Sequence, residues 1–277
     1  MMLIPFLRQT VVRFLRPDAR NSLAIALLLS GHDRWPRPIE AWPERKVLVI
    51  SPHADDEAIG CGGSVLKHVA HGAEVTVLHL TDGRNGCKRL QDPTLPADER
   101  AALVAWVRQT RKEEAEAWAA GAGVQSVEFL GIPDSEVQPS VNAVAGLKAV
   151  LERLQPDLIY VPAITDLLED HWRANLLLDA ALNAAPGVWQ QRLLLRSYEV
   201  WSPVPANRVA DISAEFSRKL ALLQLYKSQL ADVDYCRAIE GLNAYRSTML
   251  PKTAQGFAEA FFEASLPGWR AVLAGRN

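Results

Sequence analysis

The residues best suited to chemistry fall in two short segments. Ser51-Pro52-His53-Ala54-Asp55-Asp56-Glu57 puts a histidine and three consecutive acids directly after the apolar run 46–50. Adjacent carboxylates repel one another unless something positive lies between them, so a cation is their natural partner. The second segment carries Asp166, Glu169, Asp170 and His171 just after another apolar run, 157–161. One histidine and one aspartate from the first segment, with His171 from the second, make a set of two histidines and one carboxylate. That is the three-ligand pattern of a catalytic zinc site, with a position left for water. Taken singly, each segment is also what a solvated loop and a helix cap look like, because aspartate is a favoured N-cap. Two such loops, each after a strand-like run, bring the metal reading level with the cap reading.

These segments must be positioned by the elements around them. Residues 46–50 (KVLVI) are short, apolar and β-branched, so they predict a buried strand. Helical periodicity over 58–71 stops at Gly72, and 74–81 (EVTVLHLT) reads as a second strand. A long amphipathic helix follows over 97–120, with Asp98 and Glu99 near its positive end. Strands at 126–130, 157–161 and 193–201 alternate with helices at 141–154 and about 171–184. This alternation predicts a mostly parallel sheet with helices on both faces. Right-handed crossovers then give a Rossmann-like three-layer α/β/α sandwich. From about 213 the pattern changes, and 214–230, 235–249 and 254–264 read as three helices in a C-terminal extension beside the sheet. Residues 46–277 therefore read as the catalytic domain, with a sheet core over about 46–212 and a helical tail over about 213–277. Ligands of such sheets sit at the carboxyl ends of the strands, where both acidic segments fall.

Composition excludes several classes. Hydrophobic residues make up 49% and charged residues 22% of 277, which is ordinary for a globular chain. Thirty basic against thirty-two acidic residues leave a net charge of −2, without the basic excess that a nucleic-acid partner favours. Three scattered cysteines make neither a disulfide framework nor a CxxC site, so the cytoplasm is the default compartment. No apolar run approaches the roughly 20 residues of a membrane-spanning helix. Residues 1–45 read as an amphipathic helix followed by a linker at 32–45 that carries three prolines. Within 1–16 the only charges are Arg8, Arg13 and Arg16, the composition of a helix on an anionic membrane surface. Two readings stay open: peripheral membrane contact through 1–16, and the commoner fate of docking on the protein's own core.

The stretch KVLVISPHADDEAIGCGG (46–63), with EVTVLHLTDG (74–83) and EDHWRAN (169–175), resembles the zinc-dependent N-acetylglucosaminyl deacetylases of the PIG-L/LmbE type. The family's signature is a [P/A]HPDDE loop after the first strand and an HxDH loop after the fourth. Here only Ala54 departs from the first. The likeness extends into the tail, where KLALLQLYKSQ (219–229) resembles a recurring family segment. The resemblance implies a hydrolase that removes the N-acetyl group from a 2-acetamido sugar in a GlcNAc-type conjugate, a glycan or glycolipid precursor. It implies zinc held by His53, Asp56 and His171, and iron(II) suits the same ligands. It makes Asp55 the general base for a metal-held water, and a protonated Asp55 would return the proton to the leaving amine. Glu57 is expected to support the loop.

Two departures from the family pattern matter. The first histidine of HxDH is Leu168 here, which leaves oxyanion stabilisation unassigned; Arg84, Arg173 and Tyr226 are the candidates to bind substrate in its place. Many relatives also have a glutamate where this chain has Arg84. Leu168 motivates an alternative, a catalytically silent zinc- or sugar-binding protein of the same fold. A phosphotransferase of the haloacid dehalogenase type is disfavoured, because its paired aspartates would be Asp55 and Glu57, with His53 left unexplained. No GxGxxG fingerprint is present. Elsewhere, His68 and His71 read as surface residues and His79 as packed and hydrogen-bonded. Cys61 and Cys236 read as small buried side chains and Cys87 as a loop thiol. Trp172, Trp189 and Trp201 read as packed, or as faces on which a sugar stacks.

Overall fold

The computed structural model describes residues 35–251 and 256–274. The expectations for residues 1–16 lie outside them. The strands are β1 (Arg37–Pro38), β2 (Lys46–Ser51), β3 (Glu74–Thr81), β4 (Ser126–Ile132), β5 (Leu158–Pro162), β6 (Leu194–Tyr198), β7 (Arg208–Asp211) and β8 (Ala258–Ser265). The α-helices are α1 (Asp56–Ala70), α2 (Ala97–Ala122), α3 (Val141–Leu154), α4 (Glu169–Ala184), α5 (Phe216–Leu223), α6 (Lys227–Leu230), α7 (Tyr235–Ser247) and α8 (Leu266–Ala274).

One sheet runs in the order β1-β7-β8-β6-β5-β2-β3-β4. Only β8 is antiparallel to its neighbours, β6 and β7. The fold is therefore the α/β sandwich that the alternation predicts. Strand β2 shows how period-two patterning makes its three layers. Val47 and Val49 enter one core with residues of α1, α2 and α5. Leu48 and Ile50 enter the other with residues of α3, α4 and α8. The strand is buried on both faces, which is why it reads as an unbroken apolar run.

The order of the strands also locates the ligand crevice. From β2 the chain first moves out through β3 and β4, then returns to β5 on the other side. Loops leaving the carboxyl ends of β2 and β5 thus diverge to opposite faces, opening a gap between them. His53 follows β2, and His171 opens α4 after β5.

The tail differs from its helical reading. Residues 258–265 form β8, not a helix. Ala and Glu in AEAFFEAS favour helix locally, but β8 fills the slot between β6 and β7, and pairing on both edges outweighs propensity. Glu259 explains the selection in part. It is buried and accepts hydrogen bonds from the backbone N–H groups of Gly63 and Ser64 at 2.8 Å each. Those groups lie just past Cys61, where α1 leaves helical geometry. The predicted helix over 214–230 is likewise two, α5 and α6, parted at the buried Tyr226.

The proline-bearing segment before β2 is packed, not a free linker. Arg37 N donates to Asn207 O at 3.0 Å and Ile39 N to Val209 O at 2.8 Å. Trp42 packs its ring edge-on to His68, with centroids 4.7 Å apart. His68 is accordingly buried, with Nε2 3.1 Å from Tyr160 Oη, contrary to the surface expectation; His71 is exposed. A helix period alone did not reveal that a second aromatic would cover that turn. Cys61 is buried, whereas Cys236 and Cys87 are half-buried.

Candidate active site

Three ligand-type atoms meet at the gap between β2 and β5. His53 Nδ1 lies 3.2 Å from His171 Nε2 and 3.3 Å from Asp56 Oδ2. His171 Nε2 lies 3.2 Å from Asp56 Oδ2, which closes the triangle. Ligands of a tetrahedral zinc, each about 2.0–2.1 Å from the ion, stand about 3.3–3.4 Å apart. The triangle therefore has the size of one face of such a tetrahedron. Among the described residues, His53, Asp56 and His171 are the group of side chains that could hold a metal ion.

Each histidine is oriented by a carboxylate on its far side. His53 Nε2 donates to Asp170 Oδ2 at 3.2 Å, which leaves Nδ1 facing the triangle. His171 Nδ1 lies 3.2 Å from Asp166 Oδ1, which leaves Nε2 facing it. Such carboxylate–histidine pairs fix tautomer and ring angle in metal sites. Asp170 is held by backbone N–H groups of Ser135 at 2.7 Å and Val137 at 3.4 Å. The acids flanking His171 in sequence thus orient the histidines.

The electrostatics match a cation-binding pocket. Burial opposes a charge on His53, but hydrogen bonds to Asp170 and Asp56 prevail and raise its pKa to about 10. Burial likewise opposes charge on His171, yet Asp56 and Asp166 raise it to about 9. Burial would raise the Asp56 pKa, but His171 and His53 hold it well below the ordinary carboxylate range. The pocket is so negative that protons are drawn in where a metal ion would compete for them.

Asp55 stands beside the triangle but outside it. Its backbone has φ 133° and ψ −26°, a conformation that L-residues rarely adopt. Strain of this kind persists where surrounding contacts over-determine it. Those contacts are visible. Asp55 N donates to Glu57 Oε2 at 3.3 Å, and Ser51 Oγ donates to the same oxygen at 3.0 Å. Tyr226 Oη donates to the other oxygen, Glu57 Oε1. Burial raises the Asp55 pKa to about 7, against the lowering effect of Arg111. Glu57 supports the loop from below and is fully buried.

Arg111 escaped sequence reasoning altogether. It comes from the middle of α2 and is 5% exposed. Its Nη2 donates to Ala54 O at 2.7 Å and to Asp55 Oδ1 at 3.3 Å. The loop Asp82-Gly83-Arg84-Asn85-Gly86 wraps it. A Cβ on Gly83 would stand 2.8 Å from Arg111 Cδ, and one on Gly86 would meet Arg111 Nη1. The glycines of that loop clear the path of an arginine some 25 residues later, a relation no local pattern displays. Asp134 Oδ1 and Oδ2 pin the loop through the N–H groups of Gly83 at 3.0 Å and Asn85 at 2.8 Å.

His53, Asp55, Asp56, Arg111, Asp134 and Asp170 line a cleft of about 450 Å³. None of the three candidates for substrate contact lines it. Arg84 folds back on Asp82, with Nη2 to Oδ2 at 2.6 Å. Arg173 pairs with Glu169 one turn before it, at 2.6 Å. Tyr226 is fully buried under Glu57. In each case a nearer carboxylate takes the donor. Leu168 does line the cleft, and so does Trp201. His79 is buried and stacked on Phe129 at 5.2 Å, but neither ring nitrogen has a hydrogen-bond partner, contrary to expectation.

Fold and site define the class: a Rossmann-like α/β protein with a His-Asp-His cluster able to hold a metal ion at the switch point of its sheet. Residues 48–182 match the family described as PIG-L, GlcNAc-PI de-N-acetylase. Diacetylchitobiose deacetylase of Thermococcus kodakarensis is 31% identical over 118 residues, 43% of this chain and 40% of that protein. The 1D-myo-inositol 2-acetamido-2-deoxy-alpha-D-glucopyranoside deacetylase of Geodermatophilus obscurus is 35% identical over 91 residues, 33% of this chain and 30% of that one. A relative of another activity, 4-oxalmesaconate hydratase of Pseudomonas putida, is 28% identical over 124 residues, 45% and 46% of the two chains. The chain thus spans less than half the length of these curated relatives. In three dimensions it is similar to N,N'-diacetylchitobiose deacetylase from Pyrococcus horikoshii, with a TM-score of 0.65 and 22% identity, over 90% of this chain and 92% of that one. That likeness concerns the fold.

Proposed function

We propose that this protein is a metal-dependent hydrolase that removes the N-acetyl group from a 2-acetamido sugar in a GlcNAc-type conjugate. The observation that carries the reading is the closed triangle of His53 Nδ1, Asp56 Oδ2 and His171 Nε2 beside a buried acid, Asp55, that takes no part in it. A binding site alone has no use for that further carboxylate.

Zinc is the cation proposed, and iron(II) suits the same ligands; when bound, it supplies Lewis-acid activation of water and of the amide carbonyl. The protein's own residues do the rest. Asp55, with a pKa held near neutrality, takes the proton of the attacking water and returns it to the sugar amine as that leaves. Arg111 sets the angle of the Asp55 carboxylate and favours its ionised form against the effect of burial. Asp166 and Asp170 hold the two histidines in the tautomers that leave a lone pair for the metal. The test is acetate release from a panel of N-acetylglucosamine conjugates by wild type and Asp55→Ala, with metal content measured in both. Metal in both and acetate from the wild type alone is the expected result. A separate hydration assay with 4-oxalmesaconate accompanies it, since the Pseudomonas relative is a hydratase; turnover there without acetate release from any conjugate overturns the reading.

Leu168 supports a second reading, a catalytically silent zinc- or sugar-binding protein. It stands in the cleft wall where the resembled family carries a histidine. Metal binding without hydrolysis of any conjugate favours it. The cytoplasm is the compartment proposed, supported by three cysteines that form no disulfide. No helix among the described residues is long and apolar enough to cross a membrane. Peripheral membrane contact through 1–16 is proposed separately; loss of binding to anionic vesicles on deleting residues 1–20 supports it, and unchanged binding removes it.

A further inference from the structure

A second cavity, of about 360 Å³, lies beside the cleft, and Arg111 lines both. The rest of its wall is different. Strand β3 contributes His79, β4 contributes Phe129, and α2 contributes Ala105, Arg108 and Lys112. No step of the proposed hydrolysis uses it.

Buried polar atoms without partners collect on this wall. Arg111 Nε is buried and has no hydrogen-bond partner among the described residues, although Nη2 of the same guanidinium has two. Nδ1 and Nε2 of His79 are in the same state, and that residue is 1% exposed. A neutral imidazole has one N–H to give, and a guanidinium only donates. Buried polar groups left unpaired are rare, so each of these calls for an acceptor. Phe129 ties the wall together: its ring stacks on His79 at 5.2 Å, and Lys112 Nζ stands over it at 5.6 Å.

The charges around the cavity favour an anion. Arg108 and Lys112 stand at i, i+4 on α2, where like charges oppose the helix unless something negative joins them. Acids answer the cations only in part. Asp82 Oδ2 is shared by Arg84 Nη2 at 2.6 Å and Arg108 Nε at 3.2 Å. Asp55 takes Arg111 from the cleft, and Glu116 stands 3.8 Å from Lys112 Nζ in an exposed pair that contributes little. We propose that this cavity binds a small organic oxyanion, whose charged head accepts from Lys112, Arg111 Nε and His79 and whose apolar body packs on Phe129 and Ala105. A bare inorganic ion is far smaller than the cavity, and ammonium and guanidinium groups repel a metal cation. Binding here is separate from whatever reaction the triangle performs.

The test is calorimetric titration of the full-length protein with benzenesulfonate, on zinc-loaded and chelator-treated samples. A sulfonate is a weak ligand of zinc and keeps its charge across the working pH range. One site per chain is expected, with the same affinity in both samples. Lys112→Met, at an exposed position where folding is not at stake, should weaken binding about fivefold or more, and Lys112→Arg should keep it. His79→Leu should weaken it as well. Lys148→Met, on α3, is the control and should change nothing. Benzyl alcohol, of similar size without the charge, should not bind, and sulfate should bind more weakly than benzenesulfonate. Absence of benzenesulfonate binding, binding that requires zinc, or equal binding by Lys112→Met overturns the proposal. Sulfate bound as tightly as benzenesulfonate overturns the organic ligand.

Discussion

Arg111 reaches from the middle of α2 to place Nη2 3.3 Å from Asp55 Oδ1, and the same nitrogen holds the carbonyl of Ala54 at 2.7 Å. An otherwise isolated buried acid thereby gains both a fixed direction and a reason to stay ionised. An opposite charge at this distance lowers a carboxyl pKa by about 1–3 units. Asp55 must be deprotonated to act as a base, so activity falls as pH drops through its pKa. Removing the guanidinium in Arg111→Met raises that pKa, and the acidic limb of kcat/KM should move to higher pH by about 1–3 units. A bound cation lowers the whole scale in both proteins and leaves the direction of the difference unchanged. A pH–rate profile of the two proteins checks it; coincident limbs would detach Arg111 from Asp55.

Asp55→Asn keeps the size of the side chain and removes the base. We expect kcat to fall by about 10²–10⁴-fold with metal content retained. Loss of metal in that variant would instead make Asp55 a ligand.

Binding of a metal ion should expel protons. His53 and His171, at about 10 and 9, both carry a proton near pH 8 in the metal-free protein. Zinc titration at pH 8, in buffers of different ionisation enthalpy, should release close to two protons per ion, and the number should fall as pH rises through 9 and 10. The linkage has a stability counterpart. Both pKa values are raised above the unfolded histidine value, so their contribution to the metal-free protein is complete below about 6.5 and is lost as pH rises through the folded values. Thermal melts of metal-free protein at pH 6 and 10 read that loss, and added zinc should flatten it.

Asp166→Asn weakens the anchor of His171, Leu168 and Trp201 together. Loss of such an orienting carboxylate usually costs about 10–100-fold in metal affinity. Competition with a chelator measures it. An unchanged affinity would mean that packing alone holds the His171 ring.

In the C-terminal region Lys219 Nζ donates to Glu259 Oε1 at 2.8 Å, Asn243 Oδ1 at 3.0 Å and Ile59 O at 2.9 Å, all buried. Truncating one partner of a buried pair strands the other charge. Glu259→Ala should therefore lower stability by about 3–5 kcal/mol, read from denaturant melts, while Lys148→Ala, at an exposed pair with Glu152, should change it by under about 1 kcal/mol.

The buried strands and the two acidic loops could be read along the chain because each is a local pattern. Apolar β-branched runs of five or six residues report burial on both faces, and His53, Asp55, Asp56 and His171 follow such runs directly. Residues whose partners are distant in sequence could not be read this way. AEAFFEAS has the composition of a helix and becomes β8 only because β6 and β7 leave a slot for it. His68 falls on a helical surface period until Trp42, from the segment before β2, lies across it. Arg84, Arg173 and Tyr226 looked like free donors, since sequence shows a donor but not the carboxylate that reaches it first.

Local sequence thus determined which residue types stand at the ends of which strands, and with them the chemistry available. Whether His53 and His171, 118 positions apart, share a site was decided by the order β6-β5-β2-β3, which sets the loops after β2 and β5 side by side. The positioning of Asp55 by Arg111 and of His171 by Asp166 was decided at the same level. Hydrogen bonds and ion pairs act over about 3 Å, and only the packed chain sets distances on that scale.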